Sequence, residues 1–215
     1  MCVLTLVFSF AFRSNIENYP VYLLSGQLLF TYFTDSTTMA MESVIGYAPL
    51  IKKVYVPKYI FPLEKSCFGF VNMCFSLVAL VIVMLVTGAP FKPTAIFALY
   101  PMITLFVFSL GVGMFLASSA IFFRDIIHLW SVFTTALMYA SAIFYPVEIL
   151  HGTIMQVLIN FNPLYWYIDA FRQVVLRGKF LATGHLIVCA GCAIIAMIVG
   201  CYTFKKGQDS FILYI

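Results

Sequence analysis

Charge is the scarcest property of this chain: of 215 residues only 9% are Asp, Glu, Lys or Arg, with 12 basic against 8 acidic. Soluble domains carry about 25% charged residues, so a water-soluble core is excluded. Recognisable reaction chemistry is also missing. No phosphate-cradling glycine loop, nucleophile elbow or pair of catalytic carboxylates occurs. None of the three histidines, His128, His151 and His185, has a second histidine at ligand spacing, which argues against a metal site or proton relay. Six cysteines are present, but Cys67, Cys74, Cys189, Cys192 and Cys201 fall inside apolar runs, where a thiol packs as a small hydrophobe. Cys189 and Cys192 have the CxxC spacing of redox and zinc sites, yet no further ligand accompanies them. No cofactor, metal or catalytic residue is expected in this chain, and no nucleic-acid partner.

What remains is apolar. The chain is 63% hydrophobic, and 18–34, 66–91, 93–123, 126–147 and 180–204 contain no charged side chain. A helix needs roughly 20 apolar residues to cross a hydrocarbon core. Only helices and closed barrels satisfy their backbone there, and these runs lack the polar–apolar alternation of barrel strands. The sequence therefore predicts an all-α polytopic membrane protein, one transmembrane domain over 1–215. Its helices fall at about 21–42, 66–87, 95–121, 127–143 and 183–204, with a partial first helix over 1–12. That first stretch, "MCVLTLVFSFAF", is only about 18 Å of helix and reads as the outer end of a helix that begins upstream.

The polar segments between these helices alternate sides. One side receives Lys52, Lys53, Lys58, Lys65, Arg124, Lys205 and Lys206; the other receives Arg13 and Lys92, with Arg172, Arg177 and Lys179 on a longer segment. The short-loop bias makes the first side cytoplasmic.

On the second helix Thr31, Asp35, Thr38 and Glu42 share one face by their spacing. Either they mark a polar path, or the helix has already left the hydrocarbon by Asp35. From 46 to 65, Pro49, Pro57 and Pro62 forbid a continuous helix. Between them Leu50, Ile51, Val54 and Tyr55 alternate with Lys52 and Lys53 as a short amphipathic piece, suited to anionic headgroups or to a cytoplasmic partner. Arg124 and Asp125 occupy a tight turn, with Asp125 placed to cap the helix that follows. From 144 to 181, Pro146 and Pro163 divide two short helical pieces, and Gly178 ends the second. Neither piece can span, so a re-entrant hairpin is expected. Its aromatics Phe144, Tyr145, Tyr165, Trp166 and Tyr167 suit either an interfacial belt or stacking on sugar rings.

The motifs "LIKKVYVPKYIFPL" (50–63), "FFRDI" (122–126), "SAIFYP" (141–146), "NPLYWYIDAFR" (162–172) and Gly178 together resemble the type-2 ABC exporter permeases. The likeness is to the group that exports polysaccharides such as O-antigen and teichoic acid in bacteria. The resemblance implies a six-helix permease with its first helix truncated and a re-entrant hairpin between helices five and six. It implies a homodimer working with two copies of a cytoplasmic ATPase, which holds ATP and Mg. It implies a multi-pass protein of the bacterial plasma membrane with both termini cytoplasmic, exporting a lipid-linked glycan among membrane lipids. It also implies ATPase docking through Leu50, Ile51, Lys52, Lys53, Arg124 and Asp125. The gate or path would involve Asp35, Thr38, Phe144, Tyr145, Pro146, Tyr165, Trp166 and Tyr167. The chain departs from the family pattern in lacking the amphipathic cytoplasmic helix and the complete first membrane helix, and at Tyr47, Pro49 and Ala142. The alternatives are export of a small drug or peptide, or a membrane-embedded glycosyl- or acyltransferase.

Overall fold

The computed structural model describes residues 18–54, 56–89, 92–145 and 154–211, so the partial helix over 1–12 and Pro146 lie outside the described residues. Among the described residues all regular structure is helical: α1 (Tyr19–Gly46), α2 (Ala48–Ile51), α3 (Ile60–Val86), α4 (Leu99–Phe122), α5 (Ile126–Ala140), α6 (Ile154–Phe161), α7 (Pro163–Arg172) and α8 (Thr183–Gly207). A 3₁₀ segment, Pro93–Ala98, leads into α4, and a π turn, Gln173–Arg177, extends α7. Gly178 then takes a left-handed φ of 63°, which its missing Cβ permits.

Three helices are longer than the sequence predicts, α8 by running on to Gly207. α1 continues past Glu42 because no proline interrupts it before Pro49, and Asp35 and Glu42 sit on its exposed side. α3 begins at Ile60 rather than 66 because Pro62 falls in its first turn, where a backbone N–H has no intrahelical acceptor to lose. Three segments are long and apolar enough to cross a membrane: Ile60–Val86, Pro93–Phe122 and Thr183–Gly207; α5 is apolar but shorter. Phe75, Ile82, Leu85, Val86, Ile187, Ile194 and Ile198 are exposed, an apolar surface of the kind that faces lipid rather than water.

α4 is the central helix and packs against α8, α1 and α3. Where it crosses α8, a Cβ on Gly200 would overlap the Gly111 carbonyl, and one on Gly111 would overlap the Ala196 backbone. Where it crosses α1, Gly113 meets Ala40, whose Cβ would lie 2.8 Å from an added one. In lipid there is little hydrophobic gain from helix association, so such small-residue faces supply the close packing. The rings of Phe33 and Phe108 stack with centroids 5.6 Å apart, and Phe108 meets Tyr167 at 5.5 Å. That joins α1, α4 and α7 in one core.

The helix ends sort into two groups. Val44, Ile51, Phe61, Ile121, Phe204 and Phe211 form one cluster, which gathers the end of α1, α2, the start of α3 and the ends of α4 and α8. At the opposite end Lys92 donates to the Arg177 carbonyl at 3.1 Å and Thr94 to that of Val174 at 2.8 Å. The partition agrees with the loop grouping made from charge.

Candidate functional site

The α6–α7 pair is tied to the bundle by an asparagine and an arginine. Asn162 precedes Pro163, and its Oδ1 accepts the Leu164 N–H at 3.0 Å, capping α7. Its amide reaches back to donate to the Ala140 carbonyl at 3.2 Å and to Ser141 Oγ at 2.9 Å, holding the hairpin against the end of α5. At the other end of α7, Arg172 is 3% exposed. It donates to the carbonyls of Ala142, Ile143 and Tyr22, each at 3.1 Å, and its guanidinium carbon lies 3.5 Å from the Tyr22 ring centre. Burying a cation is costly unless hydrogen bonds replace its hydration. Carbonyl dipoles and a π face do so here. Gly26 makes the room, since a Cβ there would sit 2.5 Å from Arg172 Nη2.

Arg172 was absent from the residues expected to matter, although the signal was present. Leu164, Ile168 and Phe171 on α7 and Val175 on the π turn that extends it are buried, with Arg172 among them, at the spacing of one helical face. An arginine on an apolar face marks a docking group, not a solvated loop charge.

On the adjacent face, Asp169 and His185 correct the expectation of isolated histidines. His185 Nε2 lies 2.9 Å from Asp169 Oδ2, and Gln173 donates to the same oxygen at 2.9 Å. Gln173 Nε2 and His185 Nε2 therefore share one acceptor, which explains their 3.2 Å approach. Arg177 Nη1 is 3.6 Å from the other carboxylate oxygen. Burial opposes the charged form of Asp169, but the His185 hydrogen bond, the Arg177 cation and Gln173 outweigh it and hold the carboxyl below its ordinary pKa. Sixteen residues separate the pair in sequence, so local spacing cannot reveal it. No group of three or more metal-ligating side chains occurs among the described residues.

The expected path residues do not form one site. Asp35 lines a groove of about 260 Å³ between α1 and α3 with Gln27, Thr31, Asn72 and Ser76; Thr38 is half-buried outside that lining. Phe144 and Tyr145 stand in the turn after α5, where their carbonyls accept from the hydroxyls of Tyr19 at 2.9 Å and Tyr22 at 3.3 Å. Tyr165 and Trp166 are half-buried, and Trp166 packs edge-on against His185 at 5.1 Å. Tyr167 is a core residue: fully buried, it donates to the Cys189 carbonyl at 2.7 Å.

The expected docking residues share the lysine-rich end. Leu50, Lys52 and Lys53 are exposed and Ile51 is buried, anchoring α2 in the cluster there. Arg124 and Asp125 are exposed. Asp125 stands at the N-cap position of α5 but makes no side-chain cap hydrogen bond, because its backbone is already helical, with φ −66° and ψ −16°. A capping side chain needs an extended backbone to reach the free N–H groups.

A membrane-embedded chain that is helical throughout its described regular structure, with two short helices at one end and a lysine-rich face at the other, is built as a transport permease. The model of the family described as ABC-2 type transporter matches residues 1–176, and the chain belongs to that family. It is similar to the O-antigen export system permease protein RfbA of Klebsiella pneumoniae, 25% identical over 95% of this chain and 79% of that one. It is also similar to the protein of the same name from Myxococcus xanthus, 23% identical over 98% of this chain and 82% of that one.

Proposed function

We propose that this chain is the permease subunit of an ATP-driven exporter that moves a lipid-linked polysaccharide, of O-antigen or teichoic-acid type, outward across the bacterial plasma membrane. The observation that carries this is similarity to two O-antigen export permeases over nearly its whole length. The transport cycle draws its energy from ATP and Mg bound on a separate cytoplasmic ATPase dimer. Two copies of the chain surround the path, each contributing six helices in the complete transporter.

The lysine-rich end faces the cytoplasm, which puts Leu50, Lys52, Lys53, Arg124 and Asp125 where an ATPase docks. At the opposite end, α6 and α7 have 8 and 10 residues, about 12 and 15 Å. Neither spans roughly 30 Å of hydrocarbon. They enter and return, and Asn162 and Arg172 hold them against α5 and α1. In this arrangement ATPase movement at one end tilts α1 and α4, and the anchored hairpin follows as the external gate. Asp35 and the polar residues beside it give glycan hydroxyls a hydrogen-bonding face along α1.

The test is surface display of the polymer in a bacterium deleted for this chain but retaining the ATPase and the glycan assembly enzymes. Lipid-linked polymer should accumulate at the inner leaflet and return to the surface when the chain is restored. Unaltered display in the deletion strain, or restored export of a small drug or peptide instead, would sink the reading.

A further inference from the structure

Beyond any role in export, we infer that the groove between α3, α4 and α8 binds a single anionic phospholipid of the cytoplasmic leaflet. This does not depend on which substrate is exported. The groove has a volume of about 410 Å³, within the roughly 300–1,000 Å³ of small-molecule sites. The three helices that frame it belong to the three segments long and apolar enough to cross a membrane. Its opening therefore faces lipid, and a lipid is the molecule at hand to fill it.

The lining is graded along the helix axes. Leu63, Leu110, Met114, Met197, Cys201 and Phe204 form the apolar body. Tyr59, Lys205 and Gln208 stand together at one end, where α3 begins and α8 finishes. Leu110 lies twelve residues before the end of α4 at Phe122, about 18 Å at the helical rise. The groove thus runs from the membrane surface towards mid-bilayer, the course and length of a fatty acyl chain.

Charge selects the headgroup. Lys205 lines the mouth and is exposed. Lys58 is held beside it: its amine donates to the Gln208 carbonyl and lies 5.6 Å from the Phe211 ring centre. No acidic side chain lines the groove among the described residues. Two ammonium groups, those of Lys205 and Lys58, over an apolar slot match a phosphodiester without a compensating cation, as in phosphatidylglycerol, and disfavour the choline headgroup. A protein helix seated in the slot would present no such anion to the lysines.

The intact chain in nanodiscs, with and without its ATPase, is irradiated with phosphatidylglycerol or phosphatidylcholine carrying a diazirine in one acyl chain. Labelled peptides are then mapped by mass spectrometry. Phosphatidylglycerol should label the Met114 and Cys201 regions in excess of phosphatidylcholine. Lys205→Gln and Lys58→Gln should each lower that excess about fivefold, the contribution of one lysine near an anionic surface. Cys201→Phe, which fills the slot, should abolish labelling by both lipids. Equal labelling by the two lipids overturns the inference, as does labelling unchanged in the lysine variants or surviving Cys201→Phe. Loss of labelling when the ATPase is bound would also overturn it, by showing that protein covers the slot.

Discussion

The Arg172 side chain closes on Tyr22 twice, with Nη2 donating to its carbonyl at 3.1 Å and the guanidinium carbon 3.5 Å above its ring. One side chain thereby links the last turn of α7 to α1, and its bonds to Ala142 and Ile143 add the segment after α5. The contact explains Gly26 on α1 and gives the left-handed Ala142, with φ 48°, a carbonyl to present.

Replacing Arg172 with Ala leaves three carbonyls, those of Ala142 and Ile143 buried and that of Tyr22 partly so, without this donor. A loss on the order of 3 kcal/mol is expected, from about 1.5–3 kcal/mol for a bond to a charged group and the cost of stranding its acceptors. Arg172→Lys should recover only part, because an ammonium lacks the planar fork. Gly26→Ala should fall between wild type and Arg172→Ala. Thermal unfolding in nanodiscs measures all three, and an unchanged midpoint for Arg172→Ala would contradict the anchoring role.

The Gly111–Gly200 crossing predicts a sharp steric response. Gly200→Leu should force α4 and α8 apart and cost about 3 kcal/mol or more, the upper end of overpacking penalties. Gly191→Leu, on the same helix with no neighbour within 4 Å of an added Cβ, should be tolerated. Equal folded yields of the two variants by size-exclusion fluorescence would refute the close approach.

Asp169 sets an acid limit for the hairpin. Its folded pKa is depressed, so the carboxylate stabilises the fold above the unfolded value of about 3.9. That contribution is lost as pH falls through the lower folded pKa. Below about pH 4, protease cleavage between α7 and α8 should rise in wild type. Asp169→Asn should show the raised cleavage already at neutral pH and respond little to acid. Parallel acid profiles for both would remove Asp169 from this role.

If the turn at Arg124 and Asp125 docks the ATPase, Arg124→Ala should weaken complex assembly about tenfold, the effect of one charge-assisted hydrogen bond. Membrane insertion should be untouched. Asp125→Asn should be nearly silent, because the Asp125 side chain makes no cap bond to lose. Co-purification with the ATPase is the readout, and normal recovery with Arg124→Ala would exclude the turn from the interface.

Orientation is open to direct labelling. In a cysteine-free background, single cysteines replacing Lys53, Arg124 or Lys206 should resist an impermeant thiol reagent in intact cells, and one replacing Lys92 should react. Labelling from outside at position 124 would invert the topology.

Much of this was legible in the residues. Runs without charge locate α3, α4 and α8, because each helix must span lipid alone and composition suffices to say so. The grouping of Lys52, Lys58, Arg124 and Lys205 at one end follows from alternation of loops. Pro163 after Asn162 announces the start of α7, and Gly178 its end, since capping and positive φ are properties of a few adjacent residues. The helix over 60–65 was not legible, because a proline in a first turn and one in a break look alike until the N–H partners are known.

Membrane class, loop sidedness and the motif set that indicates the family are local or additive properties, and the linear order of residues is enough to carry them. The contacts that organise the hairpin are neither. Arg172 reaches Tyr22 across 150 positions and Asp169 meets His185 across 16, and Tyr167 changes from a candidate path aromatic to a core residue bonded to Cys189. Such pairings depend on which helix faces which. That was set in three dimensions by where small residues such as Gly111, Gly200 and Gly26 let backbones or a guanidinium come close enough to bond.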